Sequence, residues 1–466
     1  MDLKRSIFPL TLLGISNFLF YDVYQNVSKT SILSPYFLVI FTTHISFMLA
    51  LIRISTQAEL PFLVGMFTCF NFIFLFLAPL AVMTTSSTWF VNNVELVSKK
   101  KDSFLLICLV LILSNLTIFT VCFSRKHLAI SRLPRSSSIL VKRLNYFVAS
   151  YLLGLFLAFL VAREFVISLL PQGLGDLDNQ GANLTLAQYG LGRAFLQTTP
   201  VIICLSFLEL GKFKQSLSQK FAATFFASLS ILLSIPLGSS RQMFLFALIP
   251  LIISKAGARL IARKALLCLI PLIVIFGQPF TFGITHSYSD VKNFGFSHLF
   301  TGIDFRVSSI LVQGDFDSFS MFSIGLNCLK NGLHLIPGEQ FLGVLLFWLP
   351  RSIWRGKPFD TALVIASANN FSFQNLSAPW VLELLINGGL FLLLLGSIIL
   401  PVTLFRIDRK SPDSSRDWMR YAILCGSIFI LLRGSLLQAF GVVAYALISI
   451  NFLTSKNSTG HMRVSR

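Results

Sequence analysis

Long apolar runs, separated by short polar and basic stretches, set the pattern of this chain. They occupy about 7–21, 33–53, 60–83, 103–123, 144–170, 194–210, 221–238, 242–254, 265–282, 379–405 and 421–452. A spanning helix needs roughly 20 apolar residues. In lipid only helices and closed barrels satisfy their own backbone, and none of these runs shows the period-two alternation of barrel strands. The pattern therefore predicts an all-α, polytopic integral membrane protein with about 11–13 transmembrane helices, built as a single polytopic domain over 1–466.

Two places depart from the simple pattern. Residues 283–378 form the longest weakly hydrophobic stretch, and their apolar runs near 317–329 and 341–349 are too short to span alone. Such runs are expected to lie on the membrane surface or to form a re-entrant hairpin. The final run, 421–452, carries Arg433-Gly434 near its middle, which fits one tilted helix or a broken pair. The start, Met1-Asp2-Leu3-Lys4-Arg5 before an apolar stretch, is read as an uncleaved first helix, since no small-residue cleavage site follows.

Composition agrees. Of 466 residues, 55% are hydrophobic and 12% charged, against roughly 25% charged in soluble domains. The net charge is +19. In a soluble protein that excess would suggest nucleic acid. Here the basic residues gather in short loops, which the positive-inside rule explains without such a partner. The loops 124–143, 211–220, 255–264 and 406–420 are basic and share one side if the N-terminus is cytoplasmic. Residues 171–193, with Asp176 and Asp178, and the stretch 283–378 then lie outside. Lys99, Lys100 and Lys101 disagree, since the same alternation places them outside as a loop. The seven cysteines form no CxxC motif and read as packing residues.

Charges at or near membrane depth are costly and mark function. Arg241 follows a Gly238-Ser239-Ser240 turn between two apolar runs. In Pro350-Arg351-Ser352-Ile353-Trp354-Arg355-Gly356-Lys357-Pro358 the two prolines bracket about two turns of expected helix. Arg351 and Arg355 would then share a face, with Lys357 close by and Trp354 as an interface anchor or sugar platform. Three such cations suit a phosphate-bearing anion. Glu383 lies about one turn into a spanning helix, where a carboxylate is neutral or paired. Arg433 is too deep to snorkel easily, so it needs a bound anion or a carboxylate partner. Arg163-Glu164 suits an interfacial pair. Asp304, Asp315 and Asp317 are weaker candidates, since a lone Asp-x-Asp is a common loop or cap feature. No nucleotide, zinc-protease or nucleophile-elbow motif is present, so neither an ATP-driven pump nor a metal centre is expected.

The strings Gly314-Asp315-Phe316-Asp317-Ser318, Leu349-Pro350-Arg351-Ser352-Ile353-Trp354 with Lys357-Pro358, Glu383 with Asn387-Gly388-Gly389, and Leu432-Arg433-Gly434-Ser435 resemble the O-antigen polymerase (Wzy-like) family. The resemblance covers roughly 235–440. Arg355 departs from it, where Pro would be more usual before Lys-Pro. It implies a bacterial inner-membrane glycosyltransferase that polymerises undecaprenyl-diphosphate-linked oligosaccharide repeat units, for O-antigen or a related surface polysaccharide, on the periplasmic side. The segment 283–378 would carry the active site. The partners it implies are the lipid-linked oligosaccharide, the lipid bilayer and a chain-length regulator, with no nucleic acid and no cofactor. Within that frame Arg241, Arg351, Arg355, Lys357 and Arg433 are candidates to hold the diphosphate, with Trp354 beside them. Glu383 and Asp360 are first choices for the base. The rival functions are an O-antigen ligase, a flippase for the same lipid-linked unit, and a structural membrane subunit.

Overall fold

The computed structural model describes residues 3–27, 36–57, 60–85, 94–123, 139–161, 186–211, 216–234, 241–256, 260–286, 306–312, 316–333, 336–349, 351–371, 376–410, 412 and 414–454. Among them the chain is helical. The sole strand-like feature there is an isolated bridge between Ile139 and Thr454. The helices are α1 (Leu3–Val27), α2 (Phe37–Ser55), α3 (Phe62–Phe70), α4 (Ala78–Thr85), α5 (Val94–Phe123), α6 (Val141–Val161), α7 (Leu186–Gly211), α8 (Leu217–Leu232) and α9 (Arg241–Ala256). They continue as α10 (Leu260–His286), α11 (Val307–Leu311), α12 (Ser318–Lys330), α13 (Glu339–Leu345), α14 (Thr361–Ala368), α15 (Trp380–Arg409), α16 (Ser415–Arg433) and α17 (Leu436–Leu453).

Six stretches among the described residues are long and apolar enough to cross a membrane: 37–55, 62–83, 101–122, 141–160, 380–409 and 436–453. Three shorter apolar helices, within α7, α8 and α9, fall below that length. The protein is an all-α, multi-pass membrane protein. Where they lie on described residues, the apolar runs fall almost wholly on helices, and several helices extend past their runs. Lys99, Lys100 and Lys101 are a correction: they belong to α5, not to a loop. Their helix begins before its apolar core does, so the three lysines are no measure of a loop's side.

The chain divides into two compact units: 1–129, 260–410 and 428–441 form the first, and 130–259, 411–427 and 442–466 the second. In the first unit, 62–83 is wholly buried. Its middle, Asn71–Leu77, widens into a π-helix, a feature common at functional sites. Since Pro61 precedes α3 and offers no capping side chain, Asp408 supplies the cap: its two oxygens accept the Leu63 and Val64 N–H groups at 3.0 Å. Such a cap stabilises by about 1 kcal/mol.

Polar contacts sort the helix ends of this unit. Arg53 and Gln57 both donate to the Cys122 carbonyl at 3.1 Å, and Lys264 covers the Phe8 ring at 4.9 Å. Asp408 at the start of α3 belongs with this basic end. At the other ends of the same helices Asp22 accepts the Ser308 N–H at 3.2 Å, and Lys330 approaches Asp102 at 3.9 Å. Successive spans thus run back and forth between a basic end and the end that carries α11 and α12.

The second unit is held differently. Ser216 and Gln219 form a reciprocal capping box at the start of α8. Gln197 reaches the Leu233 carbonyl at 2.6 Å, and the Tyr151 hydroxyl donates to Leu196 at 3.2 Å. These side chains satisfy carbonyls that lipid cannot.

Candidate functional site

The last apolar run is a broken pair. Helix α16 ends at Arg433 and α17 begins at Leu436, with Gly434-Ser435 between. A Cβ at 434 would meet the Ile430 carbonyl oxygen at 2.7 Å, so glycine is required for this close approach. A break at membrane depth is tolerated only where protein satisfies the freed groups. Here it does. The Arg433 carbonyl accepts the Ala378 N–H at 3.0 Å. The Leu436 N–H, an orphan donor at a helix start, reaches Glu383 Oε1 at 3.0 Å.

Glu383 is buried and fully engaged. The Ser435 hydroxyl also donates to Oε1, at 3.3 Å, and the Thr361 hydroxyl donates to Oε2 at 3.1 Å. Its three donors are uncharged, so the carboxylate caps α17 from a distance, where the helix N-terminus favours negative charge. One helical turn on, Asn387 donates to the Glu383 carbonyl at 2.8 Å and accepts the Phe341 N–H at 3.3 Å. Helix α15 is not continuous: Gly388 and Gly389 leave helical geometry, with Gly389 at φ +61°.

Arg433 has a carboxylate partner. Its guanidinium donates to Asp317 Oδ1 at 3.0 Å, and both side chains are largely enclosed, at 14% and 3% exposure. Asp317 Oδ2 accepts the Ser377 N–H at 3.0 Å. The Phe74 ring of the π-helical segment lies 6.0 Å from the guanidinium, and Trp380 donates to Asn71 in that segment at 3.1 Å. The wide helix therefore borders the break.

Asp360 opens α14 as its N-cap and accepts the Ala362 N–H through Oδ1 at 2.9 Å. Its other oxygen is buried and accepts no hydrogen bond from the described residues. Burial pushes this carboxyl above its ordinary range, and the nearby Ser435, Ala362 and Leu363 donors pull it only part of the way back. Glu383 lies close enough to feel the Asp360 charge. The pair meets around Thr361 and Ser435.

The cationic strip requires a correction. Residues 351–357 form turns, not two turns of helix. Gly356 and the proline after Lys357 discourage helix, and the Lys357 N–H closes a tight turn on the Trp354 carbonyl at 3.1 Å. Arg351 and Arg355 are thus not paired on one helix face. Arg351 donates to the Lys357 carbonyl and, at 2.8 Å, to the Pro358 carbonyl, and it stacks over Phe359 at 4.1 Å. Lys357 donates to the Phe347 and Leu349 carbonyls at 2.7 and 2.9 Å. Partial burial, then the neighbouring Arg351 charge, lowers its ammonium pKa. Arg355 is exposed and Trp354 half-buried. Two of the three cations therefore shape the turn, and among the described residues neither pairs with a carboxylate.

The structure brings Asp317, Asp360, Glu383 and Arg433 together, and places Arg351, Arg355 and Lys357 a few residues along the chain from Asp360. Arg241 opens α9, but its side chain is outside the described residues, as are Arg163, Glu164, Asp176, Asp178, Asp304, Asp315 and Pro350. Thr361 and Ser435 were not singled out in the sequence. The helix-capping pair Asp360-Thr361 and the Gly434-Ser435 break are the signals that find them. Among the described residues no group of three or more His, Cys, Asp or Glu side chains is placed to hold a metal ion. No family model, no curated protein and no solved structure matches the chain.

Proposed function

We propose that this protein is a membrane glycosyltransferase of the O-antigen polymerase type, joining oligosaccharide repeat units carried on undecaprenyl diphosphate at the outer face of a bacterial inner membrane. One observation carries it. A non-spanning segment between two apolar helices sets three cations at 351–357 immediately before Asp360, a buried carboxylate with one oxygen unengaged. Cations serve a diphosphate, and a carboxylate of raised affinity for protons serves a sugar hydroxyl.

In this reading the acceptor hydroxyl oxygen forms the new bond to the anomeric carbon. The bond from that carbon to the diphosphate oxygen breaks, and its electron pair leaves with the lipid diphosphate. The strip stabilises that charge. Asp360 takes the hydroxyl proton through Oδ2, while Glu383 holds Ser435 and the start of α17 in place. The outward sidedness rests on the basic loops. A cysteine introduced at Lys330 is expected to react with a membrane-impermeant reagent in intact cells, and reaction only after lysis would reverse the orientation.

The decisive assay adds purified full-length protein in detergent to a synthetic lipid-diphosphate oligosaccharide. Ladders of added repeat units are expected, and Asp360→Asn at equal protein level should abolish them. Recovery of the substrate as single units from wild type would overturn the proposal. The flippase reading has one observation in its favour, the discontinuous α16–α17 helix with its enclosed ion pair, a device of transporters. Movement of the lipid-linked unit across proteoliposomes, with no ladder, would decide for it.

A further inference from the structure

We infer that residues 336–349 and 351–359 form an interfacial anchor that seats in the bilayer surface, its apolar side chains entering the boundary of the acyl chains and its arginines meeting lipid phosphates. The segment is not part of any spanning helix. Yet Ile336, Leu342, Leu345, Trp348, Ile353 and Phe359 are 47–71% exposed. Water is a poor neighbour for so many large apolar groups within a short stretch.

The spacing gives the face. Leu342, Leu345 and Trp348 follow one another by three residues, on α13 and the turn that continues it. The opposite side is held to the protein: Gln340, Gly343 and Val344 are buried, and Phe347 meets the Phe440 ring at 5.8 Å. A helix on a wet surface turns polar residues outward. This one turns leucine and tryptophan outward.

The degree of exposure matches side chains that face lipid on the spans. Phe156 and Leu160 of α6 are 59% and 62% exposed, and Leu390 and Phe391 of α15 are 51% and 75% exposed. The polar half of an interfacial device is present too. Arg351 lies over the exposed Phe359 ring, Arg355 four residues on from Arg351 is exposed, and Trp348 supplies the aromatic group that favours the headgroup level. Apolar side chains with adjacent arginines complement a surface of hydrocarbon beneath phosphates. From the buried side of α13, Gln340 donates to the Phe359 carbonyl at 2.8 Å, which ties the helix to the end of the cationic turn. Nothing in this inference requires the glycosyl-transfer reading.

The test uses full-length protein in liposomes. Leu342→Cys and Leu345→Cys carry a nitroxide, and all seven native cysteines are buried. Asn331→Cys, at an exposed position on the turn after α12, is the control. Labels at 342 and 345 should collide with oxygen and be protected from a water-soluble nickel chelate, whereas the label at 331 should show the reverse. Nickel access at 342 and 345 equal to that at 331 would overturn the inference. Protection from both reagents would overturn it as well, by showing that protein covers the face. Unlabelled protein gives an independent reading. Lipids brominated near the headgroup should remove a fluorescence component that Trp348→Phe lacks, and identical quenching of the two proteins would also count against the anchor. A polymerisation assay that fails while these labels report lipid would sink the proposed function and leave the anchor standing.

Discussion

Two cationic places in the first unit look alike in sequence, Arg433-Gly434-Ser435 and Arg351 to Lys357, and the fold treats them in opposite ways. Arg433 is enclosed and faces Asp317. Its charge is cancelled locally, because an isolated ion out of water is too costly to keep. Arg351 and Lys357 donate their hydrogen bonds to backbone carbonyls, which are neutral. Those contacts satisfy the donors but leave the net charge uncompensated at the surface. The difference teaches that depth selects the partner: a deep cation needs an anion from the chain, and an edge cation keeps charge for an anion from elsewhere.

The sharpest way to break that comparison is to remove the partner at depth. Arg433→Ala leaves Asp317 buried and unpaired, and should cost about 3–5 kcal/mol. Thermal unfolding in detergent should show a large loss, and Arg433→Gln with Asp317→Asn should recover part of it. Wild-type unfolding of Arg433→Ala would mean that the ion pair does not hold the helix break.

At the edge, stability should move little and turnover much. Arg351→Ala should slow polymerisation on the order of a hundredfold, the effect of about 3 kcal/mol lost from a charged donor in the transition state. Arg351→Lys should fall between, since it keeps charge without the planar fork. Arg355→Ala separates charge from shape, because Arg355 is exposed while Arg351 staples the turn. Ladder length against protein level in the same membranes reads all three. Full ladders from Arg355→Ala with short ones from Arg351→Ala would assign the strip a shaping role.

The bend in α15 gives a smaller effect. Gly389 holds φ +61° and ψ −159° with open space around it, so Gly389→Ala should cost about 1–3 kcal/mol from backbone strain alone. An unchanged midpoint in a denaturant series would show that the bend relaxes freely.

The smallest expected effect is a pH slope. Asp360 has a carboxyl pKa raised by burial above its ordinary 3.8. The folded state then binds the proton more tightly than the unfolded state does. Its contribution is fully present below about 4 and is lost as pH rises through the raised folded value. Asp360→Asn keeps the cap and should flatten that part of the stability profile. An identical slope in the two proteins would place the titration on another group.

Hydrophobic length and charge asymmetry are local, one-dimensional signals, and they determined much of this protein from sequence. They gave an all-α membrane architecture, the apolar runs, the two short non-spanning runs near 317–329 and 341–349, and the need of Arg433 for an anion. Tertiary structure alone decided which anion, because Asp317 lies 116 residues away in the chain. It also decided that Glu383, 53 residues before Leu436, caps a helix rather than pairing with arginine. The turn at 351–357 and the π-helical stretch at Asn71–Leu77 were not legible either. In the first, carbonyls from 347, 349, 357 and 358 compete for the same cations that an isolated helix would have displayed. In the second, the backbone widens where Trp380 from a distant helix bonds to Asn71. Propensity and period describe a segment alone, and each of these features exists because a second segment is there to satisfy it.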